Sequence, residues 1–317
     1  MRGMTFLVLA MVLAGGTGSA ELAARNDPQP RQGPMASPTV KSVPVNGTEL
    51  SYVEQGRGEP VILIHGFFHD YRSWSDVAPE LSKQYRVIAY SRRYHHPNPW
   101  PGGEPETSPS QDAEDLAALI GALKLGRAHL IGHSAGAGIA LLVARDHPGL
   151  VRSVVLGEPL LEAMLARSPE AALLPPPAFF ASAQEAFQRG DDEGGLRILA
   201  EGIVGKKGAY DDAPLHRRQR LHDNLRLGKV QMSRPRAPLP FTCEEAQAIK
   251  APALLLEGED TLKMFHLASA ELRKCMPRSE HAVLPAATHG LQLENPTGFN
   301  EIVLKFLARH SGESAPH

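Results

Sequence analysis

From residue 39 onward two hydropathy patterns take turns along the chain. One is a short run that is apolar at almost every position. Examples are "PVILIHGF" from Pro60, "YRVIAYS" from Tyr85, "AHLIGHS" from Ala128, "VRSVVLGEP" from Val151, "APALLLEGE" from Ala251 and "EHAVLPAATH" from Glu280. "LSYVEQG", from Leu50, reads as a further strand leading into a turn. A strand with one wet face alternates apolar and polar side chains, whereas a strand covered on both faces does not. These runs therefore predict parallel strands held between helices. The other pattern has the helical period, over Trp74 to Gln84, Gln111 to Leu125, Ala135 to Asp146, Met264 to Cys275 and about Pro296 to Arg309. Strand and helix in alternation predict an α/β fold, a doubly wound and mostly parallel sheet.

The alternation stops between residues 159 and 246, where no good strand pattern occurs. Helical stretches stand there instead, such as "AFFASAQEAFQRG" closed by Gly190 and "APLHRRQRLHDNLRLG" closed by Gly228. "LLPPPA" and "SRPRAPLP" punctuate them. The expected organisation is a sheet core over 39–158 and 247–312, with a helical cap inserted at 159–246. No internal repeat is visible.

The first residues carry a different pattern. One Arg precedes an apolar run from Phe6 to Ala14, and small residues follow, with Gly18 and Ala20 suiting a signal-peptidase site. Residues 1–20 are expected to be a signal peptide cleaved before Glu21, with a short uncleaved anchor as the other reading. Residues 21–38, rich in Pro and Gln and without period, read as a flexible leader. The expected location is secreted or periplasmic, with no membrane span in the mature chain. Composition narrows the classes further. Of 317 residues, 42% are hydrophobic and 21% charged, which suits a packed globular core. The net charge of -2 offers no basic patch for nucleic acid. Cys243 and Cys275 are too few for a disulfide scaffold; they either pair in an oxidising compartment or stay as two buried thiols.

The chemistry concentrates in "LIGHSAGAGIALLVA". An apolar strand runs into Gly132-His133-Ser134-Ala135-Gly136, and a helical pattern starts at once. A turn this tight needs small residues because backbone segments approach closely, and it presents the central side chain at the sheet's carboxyl edge. Ser134 is thus the candidate nucleophile, at the positive end of the helix that follows it. The plain alternative is a Gly-rich structural turn.

With "HGF" at 65–67, "GHSAG" at 132–136 and "ATHGLQLENP" at 287–296, the chain resembles the α/β-hydrolase fold family over roughly residues 45–310. In that family the order is nucleophile, acid, histidine, which matches Ser134 and His289. The resemblance implies an oxyanion hole from the N–H groups of Ala135 and Phe67. It also implies that Arg93 keeps a structural role, although "YSRRYHHPNPW" is bulkier than the loop common there. Ser at the nucleophile position argues against epoxide hydrolases and dehalogenases of this fold, which use Asp.

The acid is less plain. Family members commonly carry it as Gly-x-x-Asp after the seventh strand, but here Gly258 plus three is Thr261. Glu158 closes the preceding apolar run, 158 − 134 = 24 residues after Ser134. That is close to the spacing in branches that place the acid at this strand end. Glu158 is therefore the first candidate, Asp260 the second and Glu259 the third; the bland reading of the last two is helix capping. His289 is the candidate general base, since a lone histidine among 14 means little but its place after the last strand does not. His133 reads as packing filler. His69, His95 and His96 with Asp70 are too irregularly spaced for a metal site, and the expected chemistry needs no cofactor. Phe68 and Trp100 are candidate pocket-lining residues, with core packing as the alternative for each.

The resulting expectation is a serine hydrolase acting on a small carboxylic ester or lactone through an acyl-enzyme. Amide or carbon–carbon cleavage on the same fold, or a silent ligand-binding protein, are the alternatives. Oligomeric state is left open.

Overall fold

The computed structural model describes residues 38–234, 239 and 241–312. The expected signal segment and all but the last residue of the expected leader lie outside the described residues. One sheet holds eight strands: β1 Lys41–Val45, β2 Thr48–Gln55, β3 Pro60–Ile64, β4 Arg86–Tyr90, β5 Ala128–His133, β6 Val151–Gly157, β7 Ala253–Gly258 and β8 Glu280–Leu284. Their order is β1-β2-β4-β3-β5-β6-β7-β8. Only β2 opposes its neighbours β1 and β4; the pairings from β4 through β8 are parallel.

The unbroken apolar runs have a simple cause. In β3, Val61 and Leu63 pack on one face with Ile131, Val155 and Leu254. Ile62 and Ile64 pack on the other with Leu130, Val154 and Leu255. Each such side chain contributes about 1.5–3 kcal/mol on burial, so a polar residue at any of these positions would be costly. β8 is the exception. It has a neighbour on one side only, and Val283 is 43% exposed.

The longer helices are α1 Pro109–Ala122, α2 Ala135–Asp146, α3 Ala178–Gln188, α4 Asp192–Val204, α5 Leu215–Asp223, α6 Leu225–Ser233, α7 Cys243–Ala248, α8 Lys263–Cys275 and α9 Pro296–His310. Helices α3 to α7 fall between β6 and β7. Ala183, Phe187, Leu196, Leu199 and Tyr210 of this insertion form their own cluster, closed by Phe68 from below. Leu161, Met164, Phe241 and Ala246, near its two ends, pack with the sheet core instead. Cys243 of α7 is disulfide-bonded to Cys275 at the end of α8, so the two cysteines do pair. Among the described residues no helix is long and apolar enough to cross a membrane.

Three local expectations need correction. The helix expected over Trp74 to Gln84 is a 3-10 turn at Tyr71–Trp74 and a single helical turn at Ala78–Leu81. Pro79 is tolerated only in a first turn, so a helix can start there but not run through. The single helix expected up to Gly228 is two. Asn224 breaks it, because its buried amide donates to Asp70 and to the Arg220 carbonyl while its oxygen accepts from the His96 N–H. Gly228 then ends nothing. It lies inside α6, where a Cβ would come within 2.1 Å of the Phe68 ring. The hairpin strand β1 was not foreseen; "KSVPV" has too few apolar residues to stand out.

Candidate active site

Strand ends bring the candidate residues to one edge of the sheet. Ser134 follows β5, Glu158 follows β6, Thr261 follows β7 and His289 follows β8. This is the edge at which open parallel sheets bind ligands, near the point where strand order reverses around β3.

The turn at Ser134 is strained, with φ 53° and ψ −119° on a residue that has a Cβ. Its N–H is tied to the Gly157 carbonyl at 2.7 Å. The two flanking glycines are required by space. A Cβ on Gly136 would lie 2.1 Å from the Ile64 carbonyl oxygen, and one on Gly132 would lie 2.4 Å from the Gly136 oxygen. Only this close fit lets α2 start directly under the serine. As the first residue of α2, Ala135 has an N–H with no intrahelical acceptor.

The neighbouring turn at 65–67 is equally built. The Arg92 N–H donates to His65 Nε2 at 3.0 Å, so the proton of this ring is on Nδ1, which donates to the Gly66 carbonyl at 2.9 Å. Burial, with the nearby His95 and Arg92, holds His65 well below the ordinary histidine range and hence neutral. Arg92 also reaches the Gly66 carbonyl while pairing with the buried Asp112 at 2.7 Å. Arg93 makes a two-pronged pair with Asp115 at 2.6 and 2.7 Å. Phe67 therefore sits after a turn braced from two sides and lines the same cavity as Ser134.

His289 Nδ1 is 2.6 Å from Glu158 Oε2. Glu158 is 1% exposed and has a positive φ of 44°. Its other oxygen accepts from the Gly258 N–H at 2.7 Å, and Oε2 also accepts from Thr261 Oγ1 at 2.9 Å. The segment "LLLEGEDTLK" thus meets the site through Gly258 and Thr261. Glu259 and Asp260 are exposed; Glu259 accepts from the Ala286 N–H at 3.0 Å, and the Asp260 N–H donates to the Ala287 carbonyl at 2.9 Å. The structure joins Glu158 to His289 and leaves the other two acids outside.

Two contacts around His289 have no sequence signal of their own. Phe265 of α8 stacks on its ring, centroids 4.1 Å apart. On another side His133 Nε2 donates to the His289 carbonyl at 2.7 Å. Burial and then the neighbouring His289 push His133 down to about 3, so it stays neutral. Against a carboxylate, His289 carries its proton on Nδ1 and leaves Nε2 as the basic atom. Among the described residues Nε2 makes no hydrogen bond to Ser134, a contact that is commonly long until substrate binds.

Ser134, His133 and His289 line one cavity of about 220 Å³ with Gly66, Phe67 and Phe68 below and α3 to α5 above. Trp100 is not on this wall; it lies under the guanidinium of Arg226, 3.9 Å from ring centroid to Cζ. Asp70 is held by Arg72 and Asn224, and no group of His, Cys, Asp or Glu among the described residues is arranged to hold a metal.

The alpha/beta hydrolase family model matches residues 61–302. The 2-hydroxy-6-oxo-6-(2'-aminophenyl)hexa-2,4-dienoic acid hydrolase of Metapseudomonas resinovorans is 25% identical over 281 residues, 85% of this chain and 91% of its own. A carboxylesterase of Bacillus subtilis superposes with a TM-score of 0.68 at 23% identity, over 86% of this chain and 92% of that one. An N-acyl homoserine lactone degrading enzyme superposes with a TM-score of 0.60 at 25% identity, over 84% of this chain and 100% of that one.

Proposed function

Since the chain belongs to the alpha/beta hydrolase family, we propose that it is a serine hydrolase cleaving a carboxylic ester or lactone through an acyl-enzyme. The observation that carries this reading is the pairing of Glu158 with His289 in the wall of the cavity that also exposes the strained Ser134. In the proposed cycle Ser134 Oγ attacks the carbonyl carbon and its proton passes to His289 Nε2. The negative oxygen is held by the N–H groups of Phe67 and Ala135, which are fixed before reaction and so cost no reorganisation. Collapse expels the alkoxide, which takes the proton from His289. Water then repeats the sequence on the acyl group and frees Ser134. Glu158 keeps Nδ1 protonated and stabilises the imidazolium.

The lactone-degrading neighbour supports the ester or lactone substrate. A second reading, hydrolysis of a carbon–carbon bond next to a ketone, draws support from the dienoic acid hydrolase. Purified protein should be offered acyl esters and lactones of graded size beside a 2-hydroxy-6-oxo-dienoic acid. Turnover of an ester or lactone, abolished in Ser134→Ala, is the expected result. Turnover of the dienoic acid alone would favour the second reading, and no Ser134-dependent turnover of any would leave a ligand-binding protein.

The same reading includes export. The mature chain is proposed to begin at Glu21 and to act outside the cytoplasm. N-terminal sequencing of native protein is expected to return Glu21; Met1 from a cytoplasmic fraction would refute it.

A further inference from the structure

The cavity wall is largely apolar, from Phe180, Leu196, Leu199, Ile203, Val204 and Leu221. Two guanidinium groups of α5, Arg217 and Arg218, interrupt it. They differ in what answers their charge. Arg217 Nη2 is bonded to Asp76 at 2.9 Å. Arg218 makes no ion pair or hydrogen bond among the described residues; the Nε of each of the two is buried without a partner. The Tyr210 ring lies 5.9 Å from the Arg218 Cζ, centroid to atom, and Asp211 feels the Arg218 charge without bonding to it.

The acids that could neutralise Arg218 are committed elsewhere. Asp211 is bonded to Arg197, and Asp223 to Arg72 and Gln219. Glu193 faces Arg197 and His222. The acid lining the cavity, Glu294, follows His289 and is engaged by the N–H and hydroxyl of Thr288. The cavity is therefore polarised. A carboxylate stands beside the catalytic end, and a guanidinium with no bonded partner stands on the α5 wall. A partly desolvated guanidinium is permanently charged and offers a planar fork that suits a carboxylate.

We infer that the substrate carries an anionic group, a carboxylate or similar oxyanion, on the part that lies against α5, and that Arg218 is its counter-charge. This rests on the hydrolase reading above and narrows it to acid-ended esters or lactones. The ordinary alternative is that Arg218 only packs on Tyr210; in that case its charge would not affect which substrate is chosen.

The test pairs 4-nitrophenyl monoesters of succinate to adipate with neutral 4-nitrophenyl alkanoates of matched length. The readout is the ratio of kcat/KM between members of a pair, with kcat and KM resolved. Wild type should favour the acid-ended ester by about tenfold or more, the scale of one charge-assisted hydrogen bond, and mainly through KM. Arg218→Gln should bring the ratio to about one, Arg218→Lys should restore part of it, and Arg218→Glu should favour an ester ending in trimethylammonium. Circular dichroism checks that each variant is folded. A wild-type ratio of one or less, or a ratio untouched by Arg218→Gln, overturns the inference. Calorimetric binding of free adipate to Ser134→Ala protein separates the two claims, because it needs no turnover. Adipate binding lost in the added Arg218→Gln change keeps the anion site even if no ester is cleaved, whereas absence of both binding and preference removes it.

Discussion

Glu158 is the residue on which the site turns, and three donors converge on it: the Gly258 N–H, the Thr261 hydroxyl and His289 Nδ1. Its negative charge is therefore wanted by every neighbour. Glu158→Gln keeps the shape but presents an amide to His289 and favours the wrong tautomer, so turnover should fall by about 10⁴. Asp260→Asn and Glu259→Gln, on exposed side chains, should cost about tenfold or less, the scale of one hydrogen bond or cap. A large loss in Asp260→Asn with Glu158→Gln near wild type would contradict this assignment. In the proposed cycle Thr261 is a positioning residue. Removing its bond to a charged acceptor in Thr261→Val should cost kcat about 10- to 100-fold, with KM little changed and Thr261→Ser close to wild type. An unaltered kcat in Thr261→Val would show that Gly258 alone suffices. At this scale the sequence was informative wherever chemistry is local. "GHSAG" encodes strand, turn and helix within a few residues, and the spacing to Glu158 follows from one strand connection. Thr261 read only as a missing acid, because its contact with Glu158 spans 103 residues. An aromatic side chain does not announce which wall it joins: Trp100, a candidate for the pocket or for packing, lies under Arg226 of α6.

Among the elements, the strands were legible because two-sided burial leaves a run with no polar interruption. The insertion was harder, since its boundaries depend on which apolar residues turn toward the sheet. Gly228 illustrates the point. A Gly after a helical pattern reads as a stop, yet here the missing side chain makes room for Phe68, which is also held by Phe67 and Phe187. The consequence has a sign. On an exposed helix Gly→Ala stabilises by about 0.5–1 kcal/mol. Gly228→Ala should instead destabilise by about 1–3 kcal/mol, as overpacking does. A raised urea midpoint would disprove the contact. The disulfide ties the end of the insertion to α8, closing a separation of 32 residues. Replacing both cysteines by Ser should cost about 3–4 kcal/mol. Wild type should melt lower in dithiothreitol while the double variant does not change; equal melting of the two proteins in the absence of reductant would show that the bond adds nothing.

For the whole molecule, buried histidines set the response to acid. Burial lowers His129 to about 4 and His133 to about 3, and holds His65, His69 and His95 well below the ordinary value of 6.5. Folded-state values below the unfolded one mean that the unfolded chain binds more protons as pH falls through 6.5, so stability drops from there downward. Each group contributes up to about 1.4 kcal/mol per pH unit within its window. Asp112, raised by burial, opposes this but is a single group. Urea midpoints should decline steadily from pH 7 to 4.5; a flat profile would contradict the neutral, buried state of these rings. The same buried shell keeps His289 in one orientation, between Phe265 and His133, facing the cavity that holds Ser134. The central claim is that this cavity acts through a covalent serine. Stoichiometric treatment with an alkyl phosphonate, followed by peptide mass spectrometry and ester turnover on the same sample, tests it most directly. The account predicts one equivalent bound on Ser134 and turnover lost in step with labelling; inactivation with Ser134 unmodified, or full turnover from protein labelled at Ser134, would contradict it.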